Sequence, residues 1–91
     1  MNQPHDNPRP PHAGLTHYRV KSGASGGATI RAGPRTNAAI LGRLRPGEDW
    51  WGTPILGQQV YIRGFGNSHE WVRSDDMRHV WIGLLEKVKE S

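Results

Sequence analysis

The sequence predicts an all-β domain, a small barrel of short antiparallel strands. Apolar and polar residues alternate with a period of two in several short runs, which is typical of half-buried strands. Glycine, proline, asparagine, aspartate and serine separate these runs, as they do at turns. With 91 residues the chain makes one domain with a small core, because short chains bury a modest share of their surface.

The first 14 residues predict a disordered, proline-rich tail, which leaves residues 15–91 for the barrel. The tail holds four prolines and almost no apolar side chain, so burial cannot offset the entropy lost on ordering it. His5 and His12 are too few to hold a metal ion by themselves. An extended docking peptide at Arg9-Pro10-Pro11 is the alternative use of this segment.

The stretch 28–47 predicts a hairpin-like unit that follows a first strand over residues 15–20. Residues 28–32 alternate, and Gly33-Pro34 ends the run because proline has no N–H for a ladder. After a polar loop, Ile40, Leu41 and Leu44 predict a second strand with a buried edge.

Two β-rich runs, residues 48–56 and 59–63, predict a hairpin that turns at Gly57-Gln58. Trp50 and Trp51 are adjacent in the first run, and neighbours on a strand point to opposite faces. One indole should therefore enter the core while the other faces solvent or a partner. Packing of the outer indole under a loop or the tail is the alternative.

The last third predicts two strands, residues 69–73 and 79–82, joined by a polar turn at 74–78. Residues 64–68 read as a turn or open loop before them. Apolar residues near the C-terminus recur at spacings of three and four, which suits a helical turn. A C-terminal helix therefore competes there with a short turn followed by a strand.

A family resemblance rests on Ile30-Arg31-Ala32-Gly33-Pro34, then Thr36, Ile40-Leu41-Gly42, Leu44 and Pro46-Gly47. This order resembles the bacterial SH3 (SH3b) domain, and residues 57–60, 66–71 and 80–82 are similar to its long-hairpin actinobacterial variant. The resemblance covers about residues 18–88. It implies a small SH3-like barrel of five to seven short antiparallel strands. One 3₁₀ turn over 83–86 and a last strand over 87–89 complete the barrel.

The resemblance also implies a non-catalytic binding module that docks a peptide, most often the peptide part of peptidoglycan, in an aromatic-lined groove. Aromatic rings suit this role because they give a large contact area at a low entropic cost. The candidate ligand-binding residues are Tyr18, Arg31, Arg35, Trp50, Trp51, Tyr61, Trp71 and Trp81.

The net charge of +4 is unevenly distributed along the chain. Residues 15–47 carry six basic side chains and no acid, whereas residues 48–91 carry five basic and seven acidic ones. A basic first half attracts polyanions, so nucleic-acid binding is a second alternative function; a solvated surface is the plain reading. A cytosolic phage or bacterial regulatory module with a protein partner is the first alternative.

The sequence argues against an enzyme, and it indicates neither a cofactor nor a metal site. Cysteine is absent, and no serine lies in a nucleophile motif. His69 and His79 could approach each other across a hairpin, with Asp75 or Asp76 beside them. However, aspartates at a turn usually bond their own backbone, and the two histidines lie at the far ends of the strands.

The chain as written predicts no membrane insertion, because no apolar run approaches the ~20 residues of a span. Its first residues lack the apolar stretch of a secretory signal, which predicts a cytoplasmic location for a full-length chain. A trimmed or mature form would instead be extracellular or in the cell wall. We expect a monomer, because a proline in the strand region discourages pairing between sheets.

Overall fold

The computed structural model describes residues 12–89 and has seven antiparallel strands and one 3₁₀ turn. This confirms the predicted all-β fold class, a small SH3-like barrel. The turn spans Ile82–Leu84. The strands are β1 (Thr16–Val20), β2 (Ala28–Arg31), β3 (Ile40–Leu44), β4 (Asp49–Ile62), β5 (Gly66–Arg73), β6 (His79–Trp81) and β7 (Leu85–Lys87).

All seven strands belong to one sheet, in the order β3-β2-β6-β5-β4-β1-β7. Backbone hydrogen bonds extend two of its ladders beyond the strands: Val20 N donates to Glu48 O at 2.9 Å, and Lys21 N donates to Leu84 O at 2.9 Å. The sheet curls into a barrel-like shape. Among the described residues no ladder joins β3 to β7, so the sheet is open between these two strands.

The sheet is apolar on both faces. On the inner face Val72 lies opposite Val80, and both are fully buried. The core there also contains Tyr18, Val20, Ala24, Ala28, Ile30 and Leu85. Because side chains alternate along a strand, the next pair, Trp71 opposite Trp81, lies on the outer face. A second apolar layer therefore forms outside the main core.

The predicted turn at Gly57-Gln58 is wrong, because β4 runs unbroken through it. The register between β4 and β5 shifts between Leu56 and Val60, which marks a bulge. A Cβ on Gly57 would lie 2.5 Å from Pro34 Cβ and 2.9 Å from Trp71 Cδ1. Gly57 is thus a point of close approach rather than a turn.

The chain reverses instead just beyond β4, at Arg63 and Gly64. Phe65 N donates to Ile62 O at 2.9 Å, and Gly64 has φ +90°, a conformation that favours glycine. The strand β5 then begins at Gly66, three residues before its predicted start. The last three residues of the predicted loop over 64–68 therefore belong to the strand, because Gly66, Asn67 and Ser68 pair with β4.

Three smaller predictions also need correction. The 3₁₀ turn begins one residue early and the last strand two residues early, and residues 82–89 contain no α-helix. Ile40 and Leu41 are exposed, 61% and 46%, because β3 is an edge strand and only Leu44 packs against the core. Of the predicted tail, residues 12–14 form a turn, and residues 1–11 lie outside the described residues.

Helices long and apolar enough to cross a membrane do not occur in residues 12–89.

Replacing Gly57 by alanine should lower the free energy of unfolding by about 1–3 kcal/mol, because the new methyl group overlaps Pro34 and the Trp71 ring. Urea denaturation followed by tryptophan fluorescence measures this change. The matched control is Gly26→Ala, since a Cβ on Gly26 meets no atom within 4 Å. Equal stability of the two variants would contradict the close approach at Gly57.

Candidate functional site

A groove of about 90 Å³ lies on the outer face of the sheet. Trp71 and Trp81 form its floor. Thr29 and Arg31 line it from β2, because they alternate with the buried Ala28 and Ile30. Val60 and Ile62 line it from β4. Beyond the bulge in β4 the register with β5 is shifted by two residues, so that Val60 pairs with Ser68 and Ile62 with Gly66.

Both indoles of the floor are fixed by hydrogen bonds to the main chain. Trp71 Nε1 donates to the Gln58 carbonyl at 2.9 Å, and Trp81 Nε1 donates to the Ser68 carbonyl at 2.9 Å. Each ring is almost completely buried, with 2% and 4% of the residue exposed. Since their N–H groups are satisfied, the indoles offer only ring carbon to the groove. The floor is therefore rigid and apolar.

The loop between β2 and β3 closes one end of the groove, and it is tied to the bulge of β4. Gln58 Oε1 accepts from the backbone N and the hydroxyl of Thr36, at 2.8 Å and 3.1 Å. Gln58 N donates to Pro34 O at 2.9 Å. Two segments distant in sequence thus hold each other in place beside Trp71.

A row of basic side chains crosses the outer face next to the tryptophans. His79 on β6 pairs in register with Arg73 on β5 and with Arg31 on β2. Arg31 Nη1 donates to the Ala38 carbonyl at 3.0 Å. Arg35 comes from the same loop, and its Nη1 lies 3.0 Å from where a Cβ on Gly33 would stand. The groove therefore ends in positive charge.

His79 is the buried centre of this row, with 4% of the residue exposed. Its Nδ1 has no hydrogen-bond partner among the described residues. Burial lowers the pKa of His79 below its ordinary value. A contact with the Arg31 main chain opposes this change, and the positive charges of Arg73 and Arg35 add to it. His79 is thus held neutral near physiological pH.

A separate aromatic stack lies where β1 meets β4. His12 and His17 lie parallel to Trp51, with ring centroids 3.8 Å and 4.3 Å away. Two imidazoles this close cannot share one face of an indole without overlap, so Trp51 is sandwiched between them. His17 also bonds Asp49 at 2.8 Å, and this hydrogen bond, aided by Arg19, lowers the pKa of Asp49.

Of the sequence-predicted site residues, Arg31, Trp71 and Trp81 line the groove, and Arg35 lies on the loop beside it. Tyr61 is 66% exposed and neighbours Val60 and Ile62, but it does not line the groove.

The remaining three lie elsewhere. Tyr18 is a buried core residue, and Trp50 packs against the core with its Nε1 donating to Val72 O at 3.2 Å. Trp51 lies on the face of β4 opposite to Trp50, in the histidine stack. The adjacent tryptophans do point to opposite faces as predicted, and the outer one is covered by His12 from the tail.

Sequence reasoning missed Thr29, Val60, Ile62, Arg73 and the position of His79. Alternation around the 74–78 turn carried enough signal to place Arg73 opposite His79. No such signal in the sequence marked the bulge in β4, beyond which Val60 pairs with Ser68 and Ile62 with Gly66. His79 pairs with Arg73 and not with His69, and no three histidine or acidic side chains in residues 12–89 could hold a metal ion.

Comparison with known proteins adds no identity to this geometry. No protein-family model, curated protein or solved structure matches the chain. The resemblance to the SH3b family therefore stays a prediction from the sequence.

The buried neutral His79 predicts a loss of stability on acidification. Its pKa is lower in the folded chain than the ~6.5 of an unfolded histidine. The stabilising contribution is therefore complete above about pH 6.5 and is lost as the pH falls through that value towards the lower folded pKa. His79→Gln should show a smaller decrease in the free energy of unfolding between about pH 7.5 and 5.5. Urea denaturation at several pH values tests this, and parallel curves for both proteins would refute it.

Proposed function

We propose that the protein is a non-catalytic binding module that takes an extended peptide in the groove between β2 and the β4–β5 hairpin. One observation carries the proposal: a rigid apolar floor, Trp71 and Trp81, lies directly beside an arginine, Arg31. Peptide sites commonly combine an apolar surface with a few placed polar groups. The groove is small, about 90 Å³, and its lining within residues 12–89 includes no carboxylate.

Peptidoglycan is the ligand class we propose, following the SH3b resemblance. Its stem peptides are short and extended. A groove between strands and a hairpin accepts such a chain with little loss of conformational entropy on the protein side, because both indoles are already fixed. A protein partner with an extended segment would use the same groove, and it remains an outcome of the test.

Nucleic acid is the less favoured ligand. Base stacking needs an open aromatic face, and the groove is instead a small space of about 90 Å³ between side chains of β2, β4, β5 and β6. Two arginines of the basic first half are engaged elsewhere: Arg19 pairs with Asp49 at 3.3 Å, and Arg43 donates to Gly26 O at 2.8 Å.

Retention on purified peptidoglycan and on a display library of random linear peptides tests the proposal. The folded parent should be retained by at least one of them. Ile62→Ser should weaken retention about tenfold or more, because it removes an apolar wall of the groove.

The matched control is Tyr61→Ser, the neighbouring exposed residue that does not line the groove, which should bind like the parent. Failure of the folded parent to bind peptidoglycan or any library peptide would reject the proposal. Equal losses in the two variants would move the binding site away from the groove. Retention on oligonucleotides that falls steeply with salt would favour nucleic acid instead.

A further inference from the structure

The basic end of the groove has no counter-charge in the described part of the protein. Arg31 uses one guanidinium N–H on the Ala38 carbonyl, and no carboxylate in residues 12–89 pairs with it. The same holds for Arg35 and Arg73. The described ion pairs instead engage Arg19, His17 and Arg78. Positive charge is thus concentrated at one place, where no ion pair within residues 12–89 neutralises it.

The fold brings these three arginines, which come from β2, the loop after it and β5, to the same region of the surface. Arg31 and Arg73 flank His79 on neighbouring strands, which places all three on one face. The guanidinium group of Arg35 lies over its own loop, close to Ala38. The Ala38 carbonyl accepts the hydrogen bond from Arg31. Two guanidinium groups from β2 and its loop therefore approach the same corner. The buried His79, whose Nδ1 has no described partner, lies behind them.

We infer that Arg31 and Arg35, with Arg73 and His79 behind them, form a carboxylate-binding site at the end of the groove. The inference rests on the proposed peptide groove and names what the ligand must carry there, a C-terminal or side-chain carboxylate. Arginine suits this role because its planar fork matches the two oxygens of a carboxylate. An apolar side chain next to that carboxylate would lie over Trp81.

A carboxylate suits this corner better than the phosphates of a nucleic acid. The phosphates of a nucleic acid bind along a row of exposed cations, whereas Arg31 and Arg73 are half-buried and His79 is buried. Of these residues Arg31 lines the groove, so one charge at the end of a bound ligand is enough to reach it. The single charged end of a peptide matches this arrangement.

Nuclear magnetic resonance titrations with small probes test the carboxylate site apart from the peptide groove. N-acetyl-leucine carries a carboxylate, and N-acetyl-leucinamide has the same shape without the charge. The acid should give saturable shifts of the Arg31 and Arg35 Nε–H and His79 ring signals, and the amide should bind at least tenfold more weakly. The α-amide of N-acetylglutamate separates a side-chain carboxylate from a C-terminal one.

Bound anion should also raise the pKa of His79 towards its ordinary value, because it offsets the charges of the neighbouring arginines. Arg35→Gln should weaken binding of the acid about tenfold, as expected when a charge-assisted bond is lost. Arg45→Gln is the matched control, an exposed arginine on the loop after β3, and it should bind like the parent. A folding check by urea denaturation accompanies both.

Equal affinities for acid and amide, or equal losses in Arg35→Gln and Arg45→Gln, would overturn the carboxylate site. A short DNA duplex that competes with N-acetyl-leucine and binds more tightly than this acid would also overturn it. Peptides that bind the groove but ignore Arg35→Gln would keep the proposed function and reject this inference. Binding of N-acetyl-leucine without retention of any peptide would reject the proposed function and keep the carboxylate site.

Discussion

The cross-strand pair of Trp71 and Trp81 is the contact on which the outer half of the structure depends. The two indoles lie directly opposite each other on β5 and β6. A Cβ on Gly83 would lie 2.1 Å from the Trp81 ring, so the 3₁₀ turn packs flat on that indole. Gly57 lies close to both Trp71 and Pro34, which come from two other segments. A domain too small for one large core thus gains a second apolar layer.

This second layer links stability to the proposed function. Trp71 Nε1 holds the bulge of β4 through the Gln58 carbonyl, and the Gln58 side chain holds the loop after β2 through Thr36. The same contacts set the width of the groove. Because the groove is lined by elements that stabilise the fold, it should change little on binding. Such a preformed site avoids much of the entropic cost of ordering a flexible one.

Local patterns predicted much of the fold and only part of the site. Alternation and the Gly33-Pro34 break predicted the strands around the core, and opposite faces for Trp50 and Trp51 followed from period two alone. The long hairpin was misread because glycine serves both turns and close approaches, and only the tertiary neighbours Pro34 and Trp71 decide between them. The sequence also did not reveal that the groove tryptophans are buried. Both faces of the sheet are apolar there, so apolar and polar residues do not alternate in a way that distinguishes a buried face from an exposed one.

The central claim is that the groove at Trp71 and Trp81, and not the histidine stack at Trp51 or the edge strand β3, receives the ligand. The most direct measurement is a backbone and indole amide titration by nuclear magnetic resonance with soluble peptides released from purified peptidoglycan. We expect the largest shifts at Thr29, Arg31, Ile62 and the Trp81 indole. Shifts centred on Trp51 and His17, or on Ile40 and Leu41, would contradict the account.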